Sequence, residues 1–71
     1  MKKKMPLASV IIVNYNGKAF LRDCFNSLYN LDYPKNKLEI IMVDNGSSDG
    51  SLDYVKKQFP TVKIIINNEN N

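Results

Sequence analysis

Histidine and tryptophan are missing from the 71 residues, and cysteine occurs once, as Cys24. Without histidine there is no imidazole base and no imidazole metal ligand. A single cysteine allows no internal disulfide and no cysteine-built zinc cluster, and it fits a reducing, cytoplasmic compartment. Glycine and proline occur three times each, so no flexible linker divides the chain. The apolar run Val10 to Val13 is too short for a signal-peptide core or a membrane span. Three phosphate-related signatures are also absent. No G-x-G-x-x-G follows the first apolar run, which argues against a dinucleotide fold. No G-x-x-x-x-G-K-[ST] occurs, so this is not a P-loop. No Asp-x-Asp occurs either, and that is the carboxylate pair through which a divalent metal would neutralise a diphosphate.

What is present is an ordinary globular composition, 44% hydrophobic with a net charge of +3. Size is the constraint. A domain of roughly 60 residues buries only about 60% of its unfolded surface. If such a chain is a cut from a larger sheet, its bare edges invite pairing with another chain. Lys2, Lys3 and Lys4 form a basic tail over residues 1–7, read as a solvated terminus. Three lysines fall short of the roughly four to eight that draw a protein to an anionic membrane. No nucleic-acid partner is expected.

Two crossovers can be read along the chain. Ala8 to Asn14 is a strand whose unbroken core, Val10-Ile11-Ile12-Val13, suits a strand covered on both faces. Leu21, Cys24, Phe25 and Leu28 fall at i, i+3, i+4 and i+7, predicting a helix over about 18–30. Asn16 or Gly17 marks its start and Asp32-Tyr33-Pro34 its end. Leu38 to Asp44 repeats the strand pattern. A second helix is predicted over about 50–58, capped by Ser48 or Asp49 and stopped by Pro60. Val62 to Ile66 is a third strand. Strand-helix-strand units in succession imply a parallel sheet with right-handed connections. The fold class is therefore α/β, a β-α-β-α-β half of a Rossmann-like sheet over residues 8–67. Residues 68–71 are a polar tail or a cut loop.

In such sheets ligands bind at the carboxyl ends of the strands, and two polar clusters sit there. Tyr15 follows the first strand. Its ring can stack on a nucleobase, worth about 1–3 kcal/mol, or pack under the first helix. Asp44 ends the second strand. A carboxylate there can accept from a base imide or a ribose hydroxyl, or serve turn and capping chemistry. Asn45 offers a donor and an acceptor. Ser47 to Ser51 open the second helix, where Asp49 would repel a phosphate and favours the helix dipole instead.

Two stretches together resemble a known family. Ser9-Val10-Ile11-Ile12-Val13-Asn14-Tyr15-Asn16-Gly17 is similar to the first-strand motif of family 2 glycosyltransferases. Glu39 through Ser51, with its Asp44-Asn45-Gly46-Ser47-Ser48-Asp49-Gly50 core, is similar to that family's second-strand motif, in a rhamnosyltransferase-like version. Leu21, Cys24, Ser27 and Leu28 match its first helix.

The resemblance implies a GT-A nucleotide-sugar-binding domain and inverting transfer of a sugar from a nucleoside diphosphate. The acceptor would be a glycan or a lipid-linked cell-envelope polysaccharide. It assigns base and ribose to Val13, Asn14, Tyr15, Asp44 and Asn45. It also implies a divalent metal, Mg or Mn, in the full-length enzyme only, since the metal motif and catalytic base lie beyond these residues. Further expectations are a cytoplasmic location at the inner face of the membrane, peripheral membrane association of the parent, and an inactive piece that self-associates through sheet edges. The competing reading is a non-enzymatic α/β binding or self-association module.

Overall fold

The computed structural model describes residues 5–67. Lys2, Lys3, Lys4 and the polar end at 68–71 lie outside the described residues. The elements run β1 (Ala8–Asn14), α1 (Lys18–Tyr29), a short 3-10 turn (Lys35–Lys37), β2 (Leu38–Asp44), α2 (Ser51–Gln58) and β3 (Lys63–Ile66). The expected order is present. The 3-10 turn is an addition, and it follows Pro34, which holds its predecessor extended.

The sheet order is β1-β2-β3, and both pairings are parallel. β1 pairs with β2 from Ala8↔Leu38 to Asn14↔Asp44. β2 pairs with β3 from Ile41↔Lys63 to Asp44↔Ile66. Two right-handed crossovers that step the same way put both helices on one side. The core follows from this. Ile40 and Met42 of the central strand meet Leu21 and Phe25 of α1, Val55 of α2, and Phe59 and Val62 beyond it. Each large apolar side chain buried this way contributes about 1.5–3 kcal/mol. The Phe25 and Phe59 rings pack 5.0 Å apart between the two helices.

The apolar runs suit strands covered on both faces, and the described residues cover one of them. Burial alternates along β1, and Ile11 and Val13 are 64% and 66% exposed. Ile41, Val43 and Ile65 pair with them across the sheet, so one face is open and apolar. Among the described residues no helix is long and apolar enough to cross a membrane.

Candidate functional site

Parallel strands end together, so the carboxyl ends of β1, β2 and β3 form one rim. Asn14, Asp44 and Ile66 are paired in the last row of the sheet. Two backbone bonds close these last rungs. Asn45 N–H donates to the Asn14 carbonyl at 2.9 Å, and Asn67 N–H donates to the Asp44 carbonyl at 2.8 Å. Tyr15, Asn45 and Asn67 each follow directly on this row, and they are called the outer row below.

The two rows differ in character. In the inner row Asn14 and Asp44 are buried, at 4% and 0% exposed. Their side chains are saturated. Asn14 Nδ2 donates to Asp44 Oδ1 (2.9 Å) and Ser47 Oγ (3.1 Å). Ser47 returns two bonds to the carboxylate, from its N–H to Oδ2 (2.9 Å) and from its hydroxyl to Oδ1 (2.7 Å). Burial by itself raises the Asp44 pKa, but the bonds from Ser47, Asn14 and Gly46 outweigh it and hold the carboxyl below its ordinary value. An ionised, buried carboxylate with its oxygens occupied ties loops together. Asp44 thus performs turn chemistry in this network, and Asn14 shares in it. Neither offers a free side-chain atom at the surface of the rim.

The loops above this row interlock. Asn16 adopts a left-handed conformation, φ 52°, which Asn tolerates better than most residues. Its N–H donates to Ser47 Oγ (2.8 Å), and its Oδ1 accepts from Ser48 N–H (2.8 Å). Gly17 N–H donates to Asn14 Oδ1 at 3.2 Å, and a Cβ at Gly17 would lie 2.6 Å from that oxygen. Only glycine fits so close an approach. Asp49 joins the helices by accepting from Lys18 N–H of α1 (2.9 Å) and Ser51 N–H of α2 (3.0 Å). The N-cap position of α2 is Gly50, not the expected Ser48 or Asp49, and carries no side-chain cap bond; Asp49, one residue earlier, instead accepts from the first N–H of each helix. These bonds hold Asp49 below the ordinary carboxylate pKa, the Ser51 hydroxyl contributing most.

In the outer row Tyr15 is 66% exposed and Asn45 is half-buried. Asn67 Nδ2 donates to Asn45 Oδ1 at 3.1 Å. Val13 lies one position below Tyr15, exposed on the open face. The sequence reading missed Asn67, although its place as the first polar residue after the third apolar run was a signal. A metal does not fit these residues. Among the described residues no group of three His, Cys, Asp or Glu side chains could hold one, and the two carboxylates nearest the rim are committed to N–H and O–H donors.

A parallel α/β sheet with a polar, interlocked rim at its carboxyl ends belongs to the open α/β folds, whose ligands bind at that edge. Within that class, residues 9–71 match the model of Glycosyl transferase family 2, and the chain belongs to that family. It is 38% identical to glycosyltransferase AglE of Haloferax volcanii, over 97% of this chain and 24% of that protein. It is 40% identical to a poly(ribitol-phosphate) beta-glucosyltransferase of Bacillus spizizenii, over 80% of this chain and 10% of that protein. Among solved structures it resembles a mannosyltransferase, PcManGT of Pyrobaculum calidifontis, in complex with GDP-Man and Mn2+. That likeness has a TM-score of 0.78 at 27% identity and covers 96% of this chain and 21% of that one. The chain thus spans a quarter or less of these relatives. The GT-A resemblance of the two motifs holds in the fold.

Proposed function

We propose that this chain supplies the base-and-ribose half of a nucleotide-sugar site in a glycosyltransferase. The whole protein would pass the sugar to a glycan or lipid-linked acceptor of the cell envelope. It would work at the cytoplasmic face of the membrane, with peripheral attachment. The carrying observation is that exposed Tyr15 and half-buried Asn45 each follow directly on the paired residues Asn14 and Asp44 at the ends of neighbouring strands, within the matched family region. Tyr15 stacks on the base, and Asn45 meets its edge. Val13 forms the apolar floor beneath them. Asn14 and Asp44 act one layer down, holding both presenting residues in register. The GDP-Man held by the Pyrobaculum relative supports a nucleotide-sugar donor. A divalent metal and a catalytic base belong to the whole protein, and no step through either rests on these residues.

Titration of the chain with UDP, dTDP and GDP, followed by amide and side-chain NMR, tests this reading. Shifts at Tyr15 and Asn45 are expected with at least one nucleotide. Silence with all three sinks it.

A second reading, self-association, draws on the open face. Ile11, Val13 and Ile65 are exposed there, and apolar patches of this kind mark contact surfaces. Sedimentation velocity tests it, because a strictly monomeric chain at high concentration is incompatible with it.

A further inference from the structure

The two ends of the sheet differ in charge. In a chain of parallel crossovers every strand starts, and both helices finish, at one end. Lys35 and Lys37 lie in the 3-10 turn that leads into β2. Lys56 and Lys57 lie in the last turn of α2, and Lys63 is the first residue of β3. Against these five lysines the same end carries Asp32 and Glu39. Toward the carboxyl end the balance reverses, with Lys18 and Arg22 set against Asp23, Asp44, Asp49 and Asp53. β1 and β2 have seven residues each, so the two ends stand about 20 Å apart. That exceeds the Debye length of about 8 Å at physiological salt, and each end acts on a partner separately.

The basic end is apolar where it is concave. A cleft of about 560 Å³ opens there, floored by Leu7, Tyr29, Leu38 and Ile40 and flanked by Lys35 and Lys63. Leu7 is 69% exposed, and Leu31, just beyond α1, is exposed at the same end. The flanking lysines keep donors for a ligand. Lys35 Nζ donates to the Tyr29 carbonyl, and an ammonium has three donors. Lys63 Nζ meets Glu39 at 3.4 Å in an exposed pair, and such pairs contribute little.

We propose that the amino end of the sheet is a docking surface for an anionic phospholipid membrane. The lysines meet the phosphates, and Leu7 and the cleft take apolar lipid. The inference gives a surface to the peripheral attachment proposed above and rests on that reading. Five lysines fall within the roughly four to eight that mark such a surface. Charge by itself would suit any polyanion. The apolar cleft between the lysines favours lipid, because membrane binding draws on buried apolar area and electrostatic attraction together, whereas a nucleic-acid duplex presents chiefly its phosphates. Docked this way, the chain turns its carboxyl rim, with Tyr15 and Asn45, to the solution that supplies nucleotide.

Co-sedimentation of the full chain with vesicles tests this. Binding is expected to phosphatidylcholine mixed with phosphatidylglycerol and not to phosphatidylcholine alone. Each lysine at an anionic surface contributes about fivefold in affinity. Lys35→Gln, Lys37→Gln and Lys63→Gln combined should therefore weaken binding about a hundredfold. Leu7→Ser should weaken it about tenfold at unchanged charge. Lys18→Gln with Arg22→Gln, toward the other end, should change it by less than about twofold. All six positions are exposed, so the fold tolerates the changes. A triple variant that binds like the wild type, or equal losses from the two ends, overturns the assigned surface and leaves attachment standing through Lys2, Lys3 and Lys4 or another face. No binding of the wild type to the mixed vesicles overturns attachment by this chain, and this inference with it. Tighter binding to a DNA duplex, with Leu7→Ser having no effect, overturns the lipid assignment in favour of nucleic acid. Nucleotide titration reads the rim independently of all three outcomes.

Discussion

The two faces of this sheet are built from nearly the same residues and do opposite things. The covered face carries Ile40 and Met42 against the helices, and at its rim it buries Asn14 and Asp44. The open face carries Ile11, Val13, Ile41, Val43 and Ile65, and beyond its rim lie Tyr15, Asn45 and Asn67. Because side chains alternate along a strand, Asp44 and Asn45 are neighbours in sequence with different fates. One is locked in the frame, and the other is presented. The difference teaches that the polar motif after β2 holds two kinds of position in series, an internal anchor at Asp44 and an outward position at Asn45 that the proposed site would use.

The comparison can be broken most forcefully in the core. Phe25→Ala removes a side chain that is 0% exposed and should cost about 3–5 kcal/mol, enough to collapse NMR dispersion in so small a chain. Ile11→Ala on the open face should change the unfolding free energy measured in urea by no more than about 0.5 kcal/mol. Equal losses from the two would mean that the open face is covered in solution.

The anchor comes next. Asp44→Asn keeps the shape but turns an NH2 group toward the donors of Ser47 and Asn14. It should cost about 1–3 kcal/mol in chemical denaturation. Asn45→Ala should leave stability nearly unchanged, so the adjacent positions separate cleanly.

Acid gives a graded version of the same test. Burial raises the Asp44 pKa, but its hydrogen bonds win and the folded value lies below the ordinary 3.8. The Asp49 value is also lowered, chiefly by Ser51. A depressed folded pKa means that the unfolded chain takes up the proton first. The stability these groups contribute is complete above pH 3.8 and is lost as pH falls through the folded values. Asp44→Asn should flatten that acid limb in a pH series of denaturation curves.

The smallest effect on stability, and the sharpest on binding, belongs to Tyr15→Ala. The fold should tolerate loss of a side chain that is 66% exposed. Nucleotide affinity should drop by about 1–3 kcal/mol, the worth of one base stack. An unchanged affinity would move the base away from the rim.

Much of this was legible in residue order alone. The apolar runs and the i, i+3, i+4, i+7 stripe placed every strand and both long helices to within a residue or two, because periodicity and turn formers are local properties. The motifs gave the family for the same reason. Asn14 through Gly17 and Asp44 through Gly50 are contiguous words whose chemistry is largely set by their neighbours. What remained undecided was a matter of sides and depth. An unbroken run such as Val10-Ile11-Ile12-Val13 reads the same whether one face or two are covered. Strand order, with both crossovers stepping one way, places both helices of the described residues on the face opposite Ile11 and Val13. The anchoring bonds of Asp44 to Ser47 and Asn14 could not be read from residue order, since Asn14 lies 30 positions away. Asn67 meets Asn45 only through register, which sets it beside a residue 22 positions earlier. Sequence determined which elements form and what family they belong to. Tertiary structure alone decided which polar groups face out, because burial and hydrogen-bond saturation depend on residues distant along the chain.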